Sequence, residues 1–365
     1  MRRAPCLEED AHRSSAPIPE IPDRQGLPGT TIPPPMAARS DRPTEVRAAT
    51  PEDRGAIMDL LAGSLGWSDD DSFDSFFRWK HEQSPFGSSP AWVAVDGGEV
   101  VGFRTFLRWE FEDPAGATHR AVRAVDTATR PSHQGRGIFR QLTLQAVEDL
   151  RAGGTSFVFN TPNDQSRPGY LKMGWRPVGR VPTAVRLASW AAPLRMARSR
   201  VPAERWSAPC SLGRDVREVL DDPTVETLLS TLPPAPGLRT RRTRAYLRWR
   251  YGFEPLAYRA LTASHITDGM AIFRLRRRGS ALECALCELL VPAGHPRTQR
   301  ELLRSVARGS GADYVIRIGQ AAIDRSGFVR LPRQGPLLTW RPLAAGSPGG
   351  ELADWDLNLG DIELF

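Results

Sequence analysis

Apolar residues recur along this chain with two different periods. The stretches 92–95 and 100–109 are near-continuous apolar runs joined by Asp96-Gly97-Gly98, and they read as two strands of a hairpin. Segment 45–49 predicts a short strand before them, and 121–129 predicts another after the turn at Asp113-Pro114. Further on the period changes. Ile138, Leu142, Ala146 and Leu150 recur every fourth residue, and Phe139 and Val147 widen that face. This predicts an amphipathic helix opening near Gly137 and ending at Gly153-Gly154. Thr50-Pro51-Glu52-Asp53 starts an earlier helix, with a hydroxyl at the cap, proline at the first helical position, and Ile57, Leu60 and Leu61 as its buried face. A second helix is predicted over 72–81 and a buried strand over 155–160. A short helix ending at Lys172 then turns through Gly174-Trp175 into one more strand. The order β-α-α-β-β-β-α-β-α-β defines an α/β class.

The pattern occurs twice. Phe76-Phe77-Arg78-Trp79-Lys80 aligns with Tyr246-Leu247-Arg248-Trp249-Arg250, and without a gap the same shift pairs Pro85 with Pro255, Phe103 with Phe273 and Arg104 with Arg274. Landmarks held in one register over such a span point to two copies of one fold. The expected organisation is a disordered tail over 1–43, which carries nine of the 32 prolines, then a first copy over 44–185 and a linker over 186–204. A second copy over 205–340 and a C-terminal tail over 341–365 complete it. The Arg-Trp pairs are expected to be structural, with the indole packing a helix on a sheet and the arginine stem covering it.

Composition narrows the picture. A length of 365 residues suits two domains at roughly 150 residues each. There is no apolar run long enough for a membrane helix, and the N-terminus lacks the apolar stretch of a secretory signal. The four cysteines exclude a disulfide scaffold and fit a reducing, cytoplasmic setting. Cys284 and Cys287 sit in an apolar strand, where their spacing turns them to opposite faces, so they read as core residues and no metal is expected. The net charge of +7 raises the question of nucleic acid. Only two of the 49 basic residues are lysines, acids are interspersed almost everywhere, and the densest basic stretch, 239–250, overlaps a predicted helix, so nucleic acid is not the expected partner.

The chemistry lies in Thr127-Ala128-Thr129-Arg130-Pro131-Ser132-His133-Gln134-Gly135-Arg136-Gly137-Ile138-Phe139, a strand, a glycine loop and a helix start. That geometry aims backbone N–H groups and the positive helix end at one spot, where a diphosphate fits. Neither the Rossmann nor the P-loop glycine spacing is present. The run Gln134-Gly135-Arg136-Gly137-Ile138-Phe139 resembles the Gln/Arg-x-x-Gly-x-Gly/Ala hallmark of the GCN5-related N-acetyltransferase (GNAT) superfamily, with Phe139 where a small residue is usual. Phe139 is expected to point away from the cofactor. Asn160 and Asn163, followed by Tyr170-Leu171-Lys172-Met173-Gly174-Trp175, extend the resemblance over about 130 residues of the first copy.

The resemblance implies two tandem GNAT-like domains, each a mixed, mostly antiparallel sheet with flanking helices, in an arrangement loosely like the Eis proteins without a third domain. It implies acetyl-CoA or another acyl-CoA as co-substrate, held by Thr127, Ala128, Thr129, Gln134, Gly135, Arg136, Gly137, Ile138, Phe139 and Asn163. The acceptor would be a small-molecule or protein amine, Tyr170 the acid that protonates the leaving thiolate, and Asp126 a candidate base with Glu110 and Glu112 as rivals. The second copy reads as degenerate. Pro292-Ala293-Gly294-His295-Pro296-Arg297 lacks the glycine loop, and Ile323 stands where Tyr170 stood. A non-catalytic acyl-CoA-binding module and a FemABX-like aminoacyl transferase are the competing readings; the intact loop of the first copy disfavours the latter. Oligomeric state is not legible in the sequence.

Overall fold

Two mixed β-sheets exchange a strand with one another. The computed structural model describes residues 44–65, 71–199, 201–319 and 326–363. The Pro-rich segment 1–43 and Ile323 lie outside the described residues.

The first half runs β1 (Glu45–Ala48), α1 (Arg54–Leu65), α2 (Asp71–His81), β2 (Ala91–Asp96), β3 (Glu99–Glu112), β4 (Thr118–Thr129), α3 (Ile138–Ala152) and β5 (Phe157–Asn160). It continues through α4 (Arg167–Lys172), β6 (Arg176–Arg180), β7 (Thr183–Leu187) and α5 (Ala192–Arg198). The second half runs β8 (Arg214–Asp215), α6 (Val216–Asp221), α7 (Thr224–Ser230), β9 (Arg239–Thr240), α8 (Arg244–Tyr251), β10 (Arg259–Thr262), β11 (Met270–Arg278) and β12 (Ala281–Leu290). After it come α9 (Pro296–Gly309), β13 (Tyr314–Ile318), β14 (Val329–Arg330), β15 (Leu337–Pro342) and α10 (Leu359–Ile362).

The first sheet has the order β1-β2-β3-β4-β5-β15-β6, with β9 added on β3; the second has the order β14-β7-β13-β12-β11-β10-β8. Each sheet carries one parallel pair, β4 with β5 and β12 with β13, and its other pairs are antiparallel. The strand that ends the first copy, β7, lies between β13 and β14. The strand that ends the second copy, β15, lies between β5 and β6. No single cut in the chain therefore separates the two sheets. The sequence pattern gave no sign of this exchange, because a strand's periodicity records which face it buries and not which neighbour it pairs with.

Packing follows from the predicted faces. Ile138, Leu142, Ala146, Val147 and Leu150 of α3 are buried against Val101, Phe106, Val122 and Val158. Gly102 on β3 allows that approach, since a Cβ there would stand 2.6 Å from Ile138 Cγ2. Cys284 and Cys287 are buried in different clusters, on opposite faces of β12. The two halves share one core, where Trp79 of α2 meets Trp249 of α8. The expected arginine cover is absent there: Arg78 is exposed and pairs with Asp74 one helical turn away. The C-terminal tail is wedged between the copies, with Arg123 of β4 donating to the carbonyls of Asp361 and Ile362 and Arg250 of α8 donating to those of Gly360 and Glu363.

Candidate active site

β4 pairs with β5 only through 121–123 against 157–159, so from Ala124 onward its β5-side edge carries no strand. On the other side β4 stays paired to β3 as far as Thr129, with a bulge at Val125 and Asp126 where Arg104 faces Thr127 and Phe106 faces Ala124. A cleft of about 620 Å³ opens along that free edge. Thr127, Ala128, Thr129, Gln134, Gly135, Gly137, Ile138, Phe139 and Asn163 all line it, together with Ser166 and Gly169.

The loop is built to leave its amides available. Gly135 and Gly137 take φ of +76° and +77°, and a Cβ at either would project into open space. That space is the cradle a diphosphate would fill. The first hydrogen bond onto the helix runs from Gln141 N–H to the Gly137 carbonyl, so the N–H groups just before it have no helical partner. The loop is braced from outside: Asp96 accepts from Arg136 at 3.0 Å and contacts His133 Nε2 at 3.2 Å, and Arg130 pairs with Glu99. Arg136 is thus the loop member whose side chain leaves the cleft. Asn163 Oδ1 accepts from the Ser166 N–H and hydroxyl, which orders the entry to α4.

Phe139 departs from expectation. It is half-buried and forms part of the cleft wall, edge-on to Tyr170 with ring centroids 5.6 Å apart. The reason is local. Ile138 takes the buried position of the first turn, and Phe139, one residue on, turns toward α4, where the missing side chain of Gly169 leaves it room. Tyr170 lies behind this wall, buried against Trp175, and its phenol oxygen accepts a 2.7 Å hydrogen bond from Arg104 Nη2.

Asp126 sits on the bulge with its carboxylate 2.8 Å from Lys80 Nζ and 2.8 Å from His81 Nε2. Burial would raise its proton affinity, but the ammonium and the imidazole outweigh burial and hold the carboxyl well below the usual range. Burial also pushes the His81 imidazole toward its neutral form. Neutral His81 then donates from Nε2 to Asp126 and accepts at Nδ1 from the Ser89 hydroxyl, 3.0 Å away. As a proton acceptor Asp126 is poorly suited, because two neighbours already satisfy it as an anion. The rivals lie elsewhere: Glu110 and Glu112 face Arg120 and Thr118 at the far end of β4, and Glu110 pairs with Arg241. Lys80, His81 and Arg104 were not singled out as site residues in the sequence. Lys80 and Arg104 were visible only as repeat landmarks.

In the second copy the corresponding helix α9 begins at Pro296, after Gly294 and His295, without a second loop glycine. Among the described residues no group of three or more His, Cys, Asp or Glu could hold a metal, and no helix is long and apolar enough to cross a membrane.

The first sheet thus parts between its parallel neighbours β4 and β5, and a glycine loop opens α3 beside the gap. The sequence profile of the acetyltransferase (GNAT) domain matches residues 45–178. That match shows a GNAT domain in the first half of the chain, and the chain carries two mixed sheets whose fold is like that of solved GNAT proteins. Among solved structures it is similar to a GCN5-related N-acetyltransferase from Anabaena variabilis ATCC 29413, with TM-score 0.59 and 13% identity over 83% of this chain and 73% of that one. It is also similar to a conserved protein from Enterococcus faecalis V583 described as a probable N-acyltransferase, with TM-score 0.60 and 11% identity over 83% and 73%. Eis1 from Mycobacterium abscessus matches with TM-score 0.52 and 13% identity over 82% and 73%. At these identities the likeness is one of fold. No curated protein matches the chain.

Proposed function

We propose that this protein is an acyl-CoA-dependent N-acyltransferase that passes an acetyl or other acyl group to a primary amine. The observation that carries the reading is the cleft on the free edge of β4, closed at one end by the Gly135–Gly137 loop and walled by Phe139 in front of Tyr170. In this reading the loop amides hold the diphosphate, and the free edge from Ala124 to Thr129 pairs with the pantetheine as an added strand would. Acyl-CoA supplies an activated acyl group as its thioester.

The chain's own part is orientation and proton movement. As the amine nitrogen bonds to the acyl carbon and the carbon–sulfur bond breaks, the sulfur takes the electron pair and the Tyr170 hydroxyl gives it a proton. The proton released by the amine passes to solvent and restores the phenol. Asp126 enters as a positioning residue that orients His81 beside the bulge, rather than as the base. Residues 44–185 form the acyl-CoA unit and 205–340 a degenerate copy that completes the acceptor side, with β7 and β15 exchanged between them.

The test is a panel of amines (small amines, aminosugars, lysine peptides) incubated with acetyl-CoA and the full chain while free thiol is followed. Amine-dependent thiol release with an acylated amine in the product supports the reading. Binding of acetyl-CoA without release against any amine class would make the protein a binding module.

A further inference from the structure

Arg104 is a fully buried arginine, and among the described residues no carboxylate pairs with it. Its Nη1 donates to the Val125 carbonyl at 3.0 Å, its Nη2 donates to the Tyr170 hydroxyl at 2.7 Å, and its Nε is buried without a partner. The rest of its surroundings are rings, with Phe106 at 4.5 Å, Tyr170 at 5.4 Å and Phe139 at 5.5 Å from the guanidinium carbon to the ring centroids. Faces of aromatic rings soften the cost of such a charge but do not neutralise it.

The second copy supplies an internal control. Arg274 occupies the same register position, is equally buried, and is neutralised by Glu363, which accepts from its Nε at 3.2 Å and its Nη2 at 2.7 Å. That carboxylate is brought by the C-terminal tail, so the position on this strand admits an anionic partner where one is supplied. In the copy that keeps the glycine loop, Arg104 meets the Tyr170 phenol behind the cleft wall, and among the described residues no carboxylate pairs with it.

We infer that Arg104 is a positioning residue for acyl transfer: it fixes the Tyr170 hydroxyl beside the β4 bulge and supplies the positive charge that stabilises negative charge appearing when the carbon–sulfur bond breaks. Because Arg104 donates to the phenol oxygen, the phenol hydrogen stays available to be given away. The same guanidinium holds Val125, next to Asp126 on the bulge, so one group sets the distance between the phenol and the strand. This inference rests on the acyltransferase reading above.

The experiment is a double-mutant cycle in the full chain, with the best amine found and acetyl-CoA as donor. Tyr170→Phe is expected to lower kcat by roughly 10²–10⁴ with the KM for acetyl-CoA little changed. Arg104→Met is expected to lower kcat at least about tenfold, and Arg104→Lys, which keeps the charge, to recover part of the loss. In the Tyr170→Phe background, Arg104→Met is expected to cost clearly less than in the wild-type background, because the phenol it positions has already gone and only its charge remains to be lost. Equal losses from Arg104→Met in both backgrounds, or no recovery with lysine, would overturn the inference. Should the methionine variant fail to bind acetyl-CoA by calorimetry, the lysine variant carries the same cycle. Full activity of Tyr170→Phe would also overturn the inference, whereas an inactive wild type would instead strike at the acyltransferase reading itself.

Discussion

Trp79 and Trp249 hydrogen-bond each other's backbones: Trp79 Nε1 donates to the Trp249 carbonyl at 2.6 Å, and Trp249 Nε1 donates to the Trp79 carbonyl at 2.8 Å. Their rings stack with centroids 5.8 Å apart. Two residues at equivalent positions of a repeat can do this only across a local two-fold axis, where each performs the other's role. The residue pair that revealed the repeat is thus also the joint that closes it.

That joint makes a stability prediction. Trp79→Phe and Trp249→Phe each keep a ring but strand a buried carbonyl, and each is expected to cost about 1–3 kcal/mol in denaturant unfolding. The two share one contact, so the double variant should cost less than the sum of the single losses. Additive losses would mean that the two indoles act independently.

The loop makes a binding prediction. Gly137→Val places a β-branched residue at φ +77° and projects its side chain into the proposed diphosphate cradle. Acetyl-CoA affinity by calorimetry is expected to fall at least tenfold, about 1.4 kcal/mol. Unchanged affinity in a folded variant would place the cofactor elsewhere.

Acid stability should depend on Glu363. Burial would raise its carboxyl, but Arg274 and Arg276 outweigh that and bring it from its ordinary 4.5 down to about 2. A depressed carboxyl contributes stability in full above its unfolded value and loses it as pH falls through the folded one. The urea midpoint is therefore expected to drop between about pH 4.5 and pH 2, and Glu363→Gln to flatten that drop. The glutamine variant should also lose about 3–5 kcal/mol at neutral pH, because the guanidinium of Arg274 is left buried without its anion. An unchanged acid limb would assign the drop to other carboxylates.

Strand exchange predicts what a truncation does. Residues 1–185 alone would leave β5 and β6 without β15 between them, and the core around Trp79 open. Such a fragment is expected to be poorly soluble or inactive. The full chain should bind one acetyl-CoA, since only the first copy carries the glycine loop. Two equivalent sites by titration would refute the degenerate second copy, and a soluble, fully active fragment would refute its role in the cleft.

The strands, the helices and the loop were legible in the sequence because each is a local matter. Period-two and period-3.6 patterns, and glycines required at φ +76° and +77°, are set by neighbours along the chain. The repeat was legible because Trp79, Phe103 and Arg104 keep one register with Trp249, Phe273 and Arg274. The partners of those residues were not. Nothing in the sequence near Asp126 shows that Lys80 and His81 will reach it, or that Arg104 will meet a phenol while Arg274 meets a carboxylate. The exchange of β7 and β15 was equally hidden, since a strand pairs through backbone groups that every residue carries. Local pattern along the chain set the elements and the backbone conformation of the glycine loop. The pairing of buried charges and strands was decided only in the folded chain, where groups far apart in sequence are desolvated together and must find one another.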